Sequence, residues 1–171
     1  MKFIDSKFKT DKRHYMLQCA LAGVAMAVVL AAVAPLSNVA VVASLGASAF
    51  IVFALPHVRS SAPRFLIAGY AIAIIVGSLC LWLRWCTPLP QQFGLIPDLP
   101  AVLFGATAVA ASMFMMVMTN SEHPPAAGVA LGFVLLEPDQ WNWITPTAVM
   151  AGVVALCAVK HLLRRLLKNL L

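Results

Sequence analysis

Charge is what this chain has least of. Six acids and twelve Lys or Arg residues make up only 11% of the 171 residues, while 62% are hydrophobic and the mean hydropathy is +0.92. A soluble domain of this size has too little interior to hide so much apolar surface, so the solvent must be lipid. Patterned cysteine is missing as well. Cys19, Cys80, Cys86 and Cys157 form no C-x-x-C pair, and three of them lie inside apolar runs, which argues against structural zinc or a disulfide framework. The signatures H-E-x-x-H and G-x-S-x-G are absent, as are paired intramembrane aspartates, so an intramembrane enzyme is the least favoured class. The basic residues lack interleaved aromatics, which counts against nucleic acid as a partner.

The cations that are present sit mostly at the two ends. Lys2, Lys7, Lys9, Lys12 and Arg13 precede the first apolar run, and Lys160, Arg164, Arg165 and Lys168 close the last one. Residues 1–14 read as a basic N-terminal segment, either a short interfacial helix spaced by Ile4 and Phe8 or a solvated tail. The first apolar run is longer than a usual signal-peptide core, although Ala31-Ala32-Val33-Ala34 resembles a cleavage site.

Residues 15–171 read as one all-α integral membrane domain with six hydrophobic elements. Leu17 to Val33 is the first helix, ended by Pro35 and Ser37-Asn38. The β-branched stretch Val39 to Ser44 is expected to be extended, leading into a short helix from Gly46 to Leu55 that Pro56 stops. Phe65 to Trp85 is a full span, residues 86–100 a proline-rich loop, and Ala101 to Met118 another span. Thr119 to Gly128 breaks the apolar pattern, and a short run from Val129 to Leu136 follows, closed by Glu137-Pro138. The last span begins at Thr147, and in its basic tail Lys160, Arg164 and Lys168 are expected to share one helical face. If all six elements cross, both termini and the Arg59/Arg64 connection share one side, and Asp98, Glu137 and Asp139 lie on the other, with Arg84 snorkelling. That positive-inside pattern favours six crossings over four and puts both ends in the cytoplasm, in a plasma or inner membrane.

The two halves, roughly residues 15–85 and 99–167, match in order. A shift of 82 residues carries Gly46 onto Gly128 and Pro56 onto Pro138, and each half reads as helix, short broken helix, helix. Three crossings per half make the halves inverted, and paired broken helices in inverted halves point to a transport site. The two short helices are expected to begin near Gly46 and Pro125 and to aim their N-termini at each other near the midplane, an arrangement that binds an anion. The candidate binding residues are Gly46, Ala47 and Ser48 from the first half and Asn120, Ser121, His123, Pro124, Pro125 and Gly128 from the second, with His123 tuning occupancy by pH. The plainer alternative is a turn with a structural histidine. Met113, Met115, Met116 and Met118 read as packing rather than a metal path.

These residues resemble the HPP family of integral membrane proteins. The likeness rests on His123-Pro124-Pro125, on Gly46-Ala47-Ser48-Ala49 before an apolar run, and on Pro63-Arg64 before the next helix. It implies transport of a small monovalent anion, since members have been linked to nitrite. Two positions depart from the family pattern: glycine falls one residue late, at Gly128, and Tyr70 stands where the family often has histidine. The family is usually described with four spans, against six counted here. The expectation is therefore an anion transporter, with nitrite as cargo, the bilayer as solvent, a homodimer or higher homo-oligomer as assembly, and no cofactor. The rival reading is a non-transporting scaffold or accessory subunit.

Overall fold

The computed structural model describes residues 11–33, 39–90, 92–93, 96–137 and 139–170. The expected N-terminal interfacial segment falls mainly on residues 1–10, and the stop at residues 34–38, Pro138 and parts of the 86–100 loop also lie outside the described residues.

Among the described residues six α-helices carry the fold: α1 Lys12–Val33, α2 Val39–Ala54, α3 Pro63–Cys86, α4 Leu99–Met118, α5 Pro124–Val134 and α6 Ile144–Leu163. A 3₁₀ turn, Arg59–Ser61, joins α2 to α3, and two-residue strands, Gln92–Phe93 and Ile96–Pro97, pair antiparallel in the loop before α4. Helices α1, α3, α4 and α6 are long and apolar enough to cross a membrane, while α2 and α5 are shorter apolar helices.

The stretch Val39 to Ser44 is helical, not extended. Its β-branched residues favour strands in water, but in lipid an unpaired strand would leave its backbone polar groups unsatisfied, so local propensity gives way. As a result α2 has 16 residues, covering roughly 24 Å at 1.5 Å per residue, and Gly46 lies in its middle. The 11 residues of α5 cover roughly 16 Å.

Hydrogen bonds between helix ends show that the chain alternates between two faces. On the first face, Tyr15 Oη donates to the Leu170 carbonyl at 2.6 Å, Gln18 donates to the carbonyls of Phe53 and Lys168, and Leu170 N donates to the Ala54 carbonyl. Lys160 Nζ joins them, donating to the Ser61 carbonyl at 2.6 Å and to Ser61 Oγ at 2.8 Å. Its inward reach, together with the end of α6 at Leu163, breaks the expected shared face with Arg164 and Lys168. On the opposite face, Arg84 donates to the Val134 carbonyl at 2.8 Å and to Asp98 Oδ2 at 2.9 Å. Arg84 therefore does not snorkel. It closes the C-terminal end of α5, where a cation meets unpaired carbonyls, and it pairs with the Asp98 that caps α4 through the N–H of Ala101. Among the described residues, eight of the nine Lys and Arg side chains belong to the first, basic face.

The innermost helix is α5. Gly69, Ala73 and Gly77 of α3 form a small-residue stripe facing Ala126, Ala130 and Phe133 of α5, so the two backbones come close. A Cβ on Gly77 would stand 2.7 Å from the Ala130 carbonyl oxygen. On its other side α5 presents Gly128 to Ser44 and Gly132 to Val41, both on α2, and Leu131 fills the space left by Gly105 of α4. Exchanging α1–α3 for α4–α6 carries every principal helix contact onto another: α1 with α2 onto α4 with α5, α1 with α6 onto α3 with α4, α2 with α6 onto α3 with α5, while α2 with α5 and α3 with α6 map onto themselves.

Candidate functional site

Those same glycine contacts decide how α2 and α5 run. Val41 meets Gly132, Ser44 meets Gly128 and Ser48 meets His123, so one helix ascends as the other descends. Their N-termini therefore lie at opposite ends of the pair and do not face each other. The expected two-tip anion pocket at mid-depth is overturned. Its first tip was placed at Gly46, which is inside a helix, and its second has few donors to offer. Pro124 and Pro125 have no N–H, and the N–H of Ala126 already donates to the His123 carbonyl at 2.9 Å.

What the fold assembles instead is a buried polar node around His123, just ahead of α5. The ring is fully buried. Nδ1 lies 2.9 Å from the Ser60 carbonyl in the connector, and Nε2 lies 2.7 Å from Ser48 Oγ on α2. Ser48 Oγ is also 2.7 Å from Tyr70 Oη on α3, which donates to the Ser44 carbonyl at 3.0 Å. The Tyr70 and His123 rings are tilted against each other with centroids 5.7 Å apart. Gly69 makes this approach possible, because a Cβ there would stand 2.9 Å from His123 Cβ. The node lies about 9–10 Å in from the basic face, six to seven residues from the ends of α2 and α3, not at the midplane.

The turn from α4 to α5 roofs the node. Asn120 adopts a left-handed conformation, φ 53°, that suits the residue ending a helix, and its side chain accepts a hydrogen bond from Arg59. Ser121 is buried and bonds Thr119 Oγ1 at 2.7 Å. The Arg59 guanidinium also lies 5.0 Å above the Phe65 ring. Beside the node, a cleft of about 180 Å³ is lined by Val109, Met113 and Met116 of α4 and by Glu122, His123 and Ala127. A larger apolar groove of about 380 Å³ between α1 and α2, lined by Cys19, Ala22, Phe50 and Phe53, lies apart from this chemistry.

Of the residues expected at the site, Ser48 and His123 meet directly, and Asn120 and Ser121 form the roof. Pro124 and Pro125 open α5. Gly128 serves helix packing, because a Cβ there would sit 2.6 Å from Ser44 Oγ. Gly46 and Ala47 stand apart: nothing lies within 4 Å of a Cβ built on Gly46, and Ala47 is exposed. Sequence reasoning missed Tyr70 and Ser60 as partners of His123. A hydroxyl seven residues inside an otherwise apolar span was a usable signal for Tyr70. Ser60 offers only its backbone, which no sequence pattern reveals.

This architecture, apolar helices alternating between two faces around a buried polar node, defines a multi-pass integral membrane protein. Residues 7–169 match the family described as HPP, transmembrane region, and the chain belongs to that family. It is 31% identical over 101 residues to a transmembrane protein of Dictyostelium discoideum, an overlap covering 59% of this chain and 32% of that relative. No solved structure matches.

Proposed function

We propose that the protein carries a small monovalent anion across the membrane, nitrite being the cargo implied by the family resemblance. The observation that carries this reading is the burial of His123. An ionisable ring inside a membrane bundle is costly and marks a transport path by default. Here it is held from three separate segments, beneath the cations of the basic face. The exchange of neighbours between α1–α3 and α4–α6 supports reading the halves as an inverted repeat, with the node, drawn from both halves, developed near one face only. The 82-residue shift carries Val41 onto His123, so the corresponding point near the opposite face is apolar. The basic face, with both ends of the chain, is cytoplasmic in this reading.

The test is nitrite uptake into liposomes containing the purified protein. Uptake above protein-free vesicles is expected, and His123→Ala lowers it about tenfold or more, the loss of a hydrogen bond to a charged group. Uptake no faster than in empty vesicles, or equal in the variant, overturns the reading and leaves a scaffold or accessory subunit. A single small subunit gives the cleft thin walls, so the active form is a homodimer, and a mass corresponding to one chain in mild detergent refutes that part.

A further inference from the structure

Four contacts link the node, and the chain of contacts ends on a backbone carbonyl at both sides. They run from the Ser60 carbonyl to His123 Nδ1, from Nε2 to Ser48 Oγ, from Ser48 Oγ to Tyr70 Oη, and from Tyr70 Oη to the Ser44 carbonyl. A carbonyl only accepts. Nδ1 must therefore carry a hydrogen for Ser60, and Tyr70 gives its single hydroxyl hydrogen to Ser44. Ser48 then gives its own to Tyr70. The remaining contact, Nε2 to Ser48 at 2.7 Å, is filled only if Nε2 also bears a hydrogen. A neutral imidazole, a serine and a tyrosine bring three hydrogens to four contacts, and an imidazolium brings four.

The neutral state is served by a second arrangement. Ser48 donates to Nε2 and Tyr70 donates to Ser48, while the Ser44 carbonyl keeps its partner within α2, four residues on. The two states differ by one proton and by the direction of two hydroxyls, without movement of heavy atoms.

We propose that His123, Ser48 and Tyr70 form a proton-binding site whose occupancy drives anion passage, an inference that rests on the transport reading above. In the loading step the Nε2 lone pair takes a proton from a hydronium ion on the basic side, leaving water, and both hydroxyls turn. Unloading returns that proton to water. No bond of the anion forms or breaks.

An anion entering an apolar bundle needs a countercharge. Helices α2, α4 and α5 carry no titratable side chain. Tyr70 of α3 and Glu122 of the turn supply no positive charge. Arg59 and Arg64 lie over Phe65 at the surface, Arg59 also bonding Asn120, and Lys160 of α6 is bound to Ser61. Among the described residues, His123 is the group at the depth of the node that can turn positive.

Two measurements test this on the full chain. In detergent micelles, nitrogen NMR of labelled histidine, with His123→Gln for assignment, is expected to show Nε2 gaining a proton as the pH is lowered. Tyr70→Phe, which removes one hydroxyl, and Ser48→Ala each lower its proton affinity about tenfold. A ring that stays neutral throughout, or that titrates identically in Tyr70→Phe and Ser48→Ala, overturns the proton site. In liposomes at a clamped membrane potential, a proton gradient directed with nitrite raises its uptake about tenfold in the parent protein, and not in His123→Gln. Nitrite uptake indifferent to the gradient overturns proton coupling and leaves anion transport standing. Absence of any uptake overturns transport and coupling together, and the NMR titration then decides the proton site by itself.

Discussion

Replacing Gly77 with alanine puts one methyl group between α3 and α5. The new Cβ would stand 2.7 Å from the Ala130 carbonyl oxygen, 2.9 Å from Ala130 Cα and 3.0 Å from Phe133 Cβ. Two of these are backbone atoms of a helix, so no side chain can swing aside. Restoring an ordinary contact of about 3.4 Å requires the helices to part locally by about 0.7 Å. A radial gap of about 0.5–1 Å forfeits roughly a quarter to a half of the dispersion well for the atoms along the seam. The seam includes Gly69, Ala73, Ala126 and Phe133. A loss of about 1–3 kcal/mol is therefore expected, the usual cost of overpacking. Because Tyr70 rides on α3 and His123 is joined to α5, the same parting stretches the node, and the proposed uptake should fall with stability. Gly46→Ala is the matched control. Nothing lies within 4 Å of its added Cβ, and alanine in a helix interior is favoured over glycine by roughly 0.5–1 kcal/mol. Unfolding both variants in mixed micelles with increasing denaturing detergent measures the difference. If Gly77→Ala matches the parent protein, or if Gly46→Ala is the more damaging, the packing argument is wrong.

Two further perturbations bear on the ends of the bundle. Arg84→Leu removes the donor to the Val134 carbonyl and strands Asp98, and should cost about 1–3 kcal/mol in the same unfolding measurement; Arg84→Lys recovers only part, because it cannot serve both acceptors with one planar fork. Cys86 is exposed at the face opposite the cations. A membrane-impermeant thiol reagent should modify it from outside intact cells, and a cysteine placed at Asn169 only after permeabilisation. The reverse labelling pattern would invert the orientation.

Much of the fold was legible because lipid imposes a simple grammar. Six apolar elements, their order and the brevity of the run after His123 could be read from the breaks at Pro56, Pro63 and Pro124-Pro125. Val39 to Ser44 misled for a definite reason: β-branched propensity measured in water does not count where a backbone has no water to bond. That one error moved a helix start by seven residues and placed a helix tip at Gly46, which lies in the middle of α2. Gly128 looked like room for a ligand and proved to be room for Ser44, since a glycine reports close approach without saying by what. His123 and Ser48 were recognisable as polar residues in apolar surroundings. Their pairing across 75 positions, and the place of Tyr70 on the other side of Ser48, depend on how helices stack, which periodicity does not encode.

The brevity of α5 also bears on how the protein is made. Eleven residues, roughly 16 Å of helix, are too few to be stitched into a bilayer alone, where about 20 are needed. Its glycine and alanine faces gain little from lipid tails and fit only the slot between α2, α3 and α4. The segment can therefore bury those faces only where those three helices are already packed together. Since His123 immediately precedes this helix, the same packing holds the ring at the node.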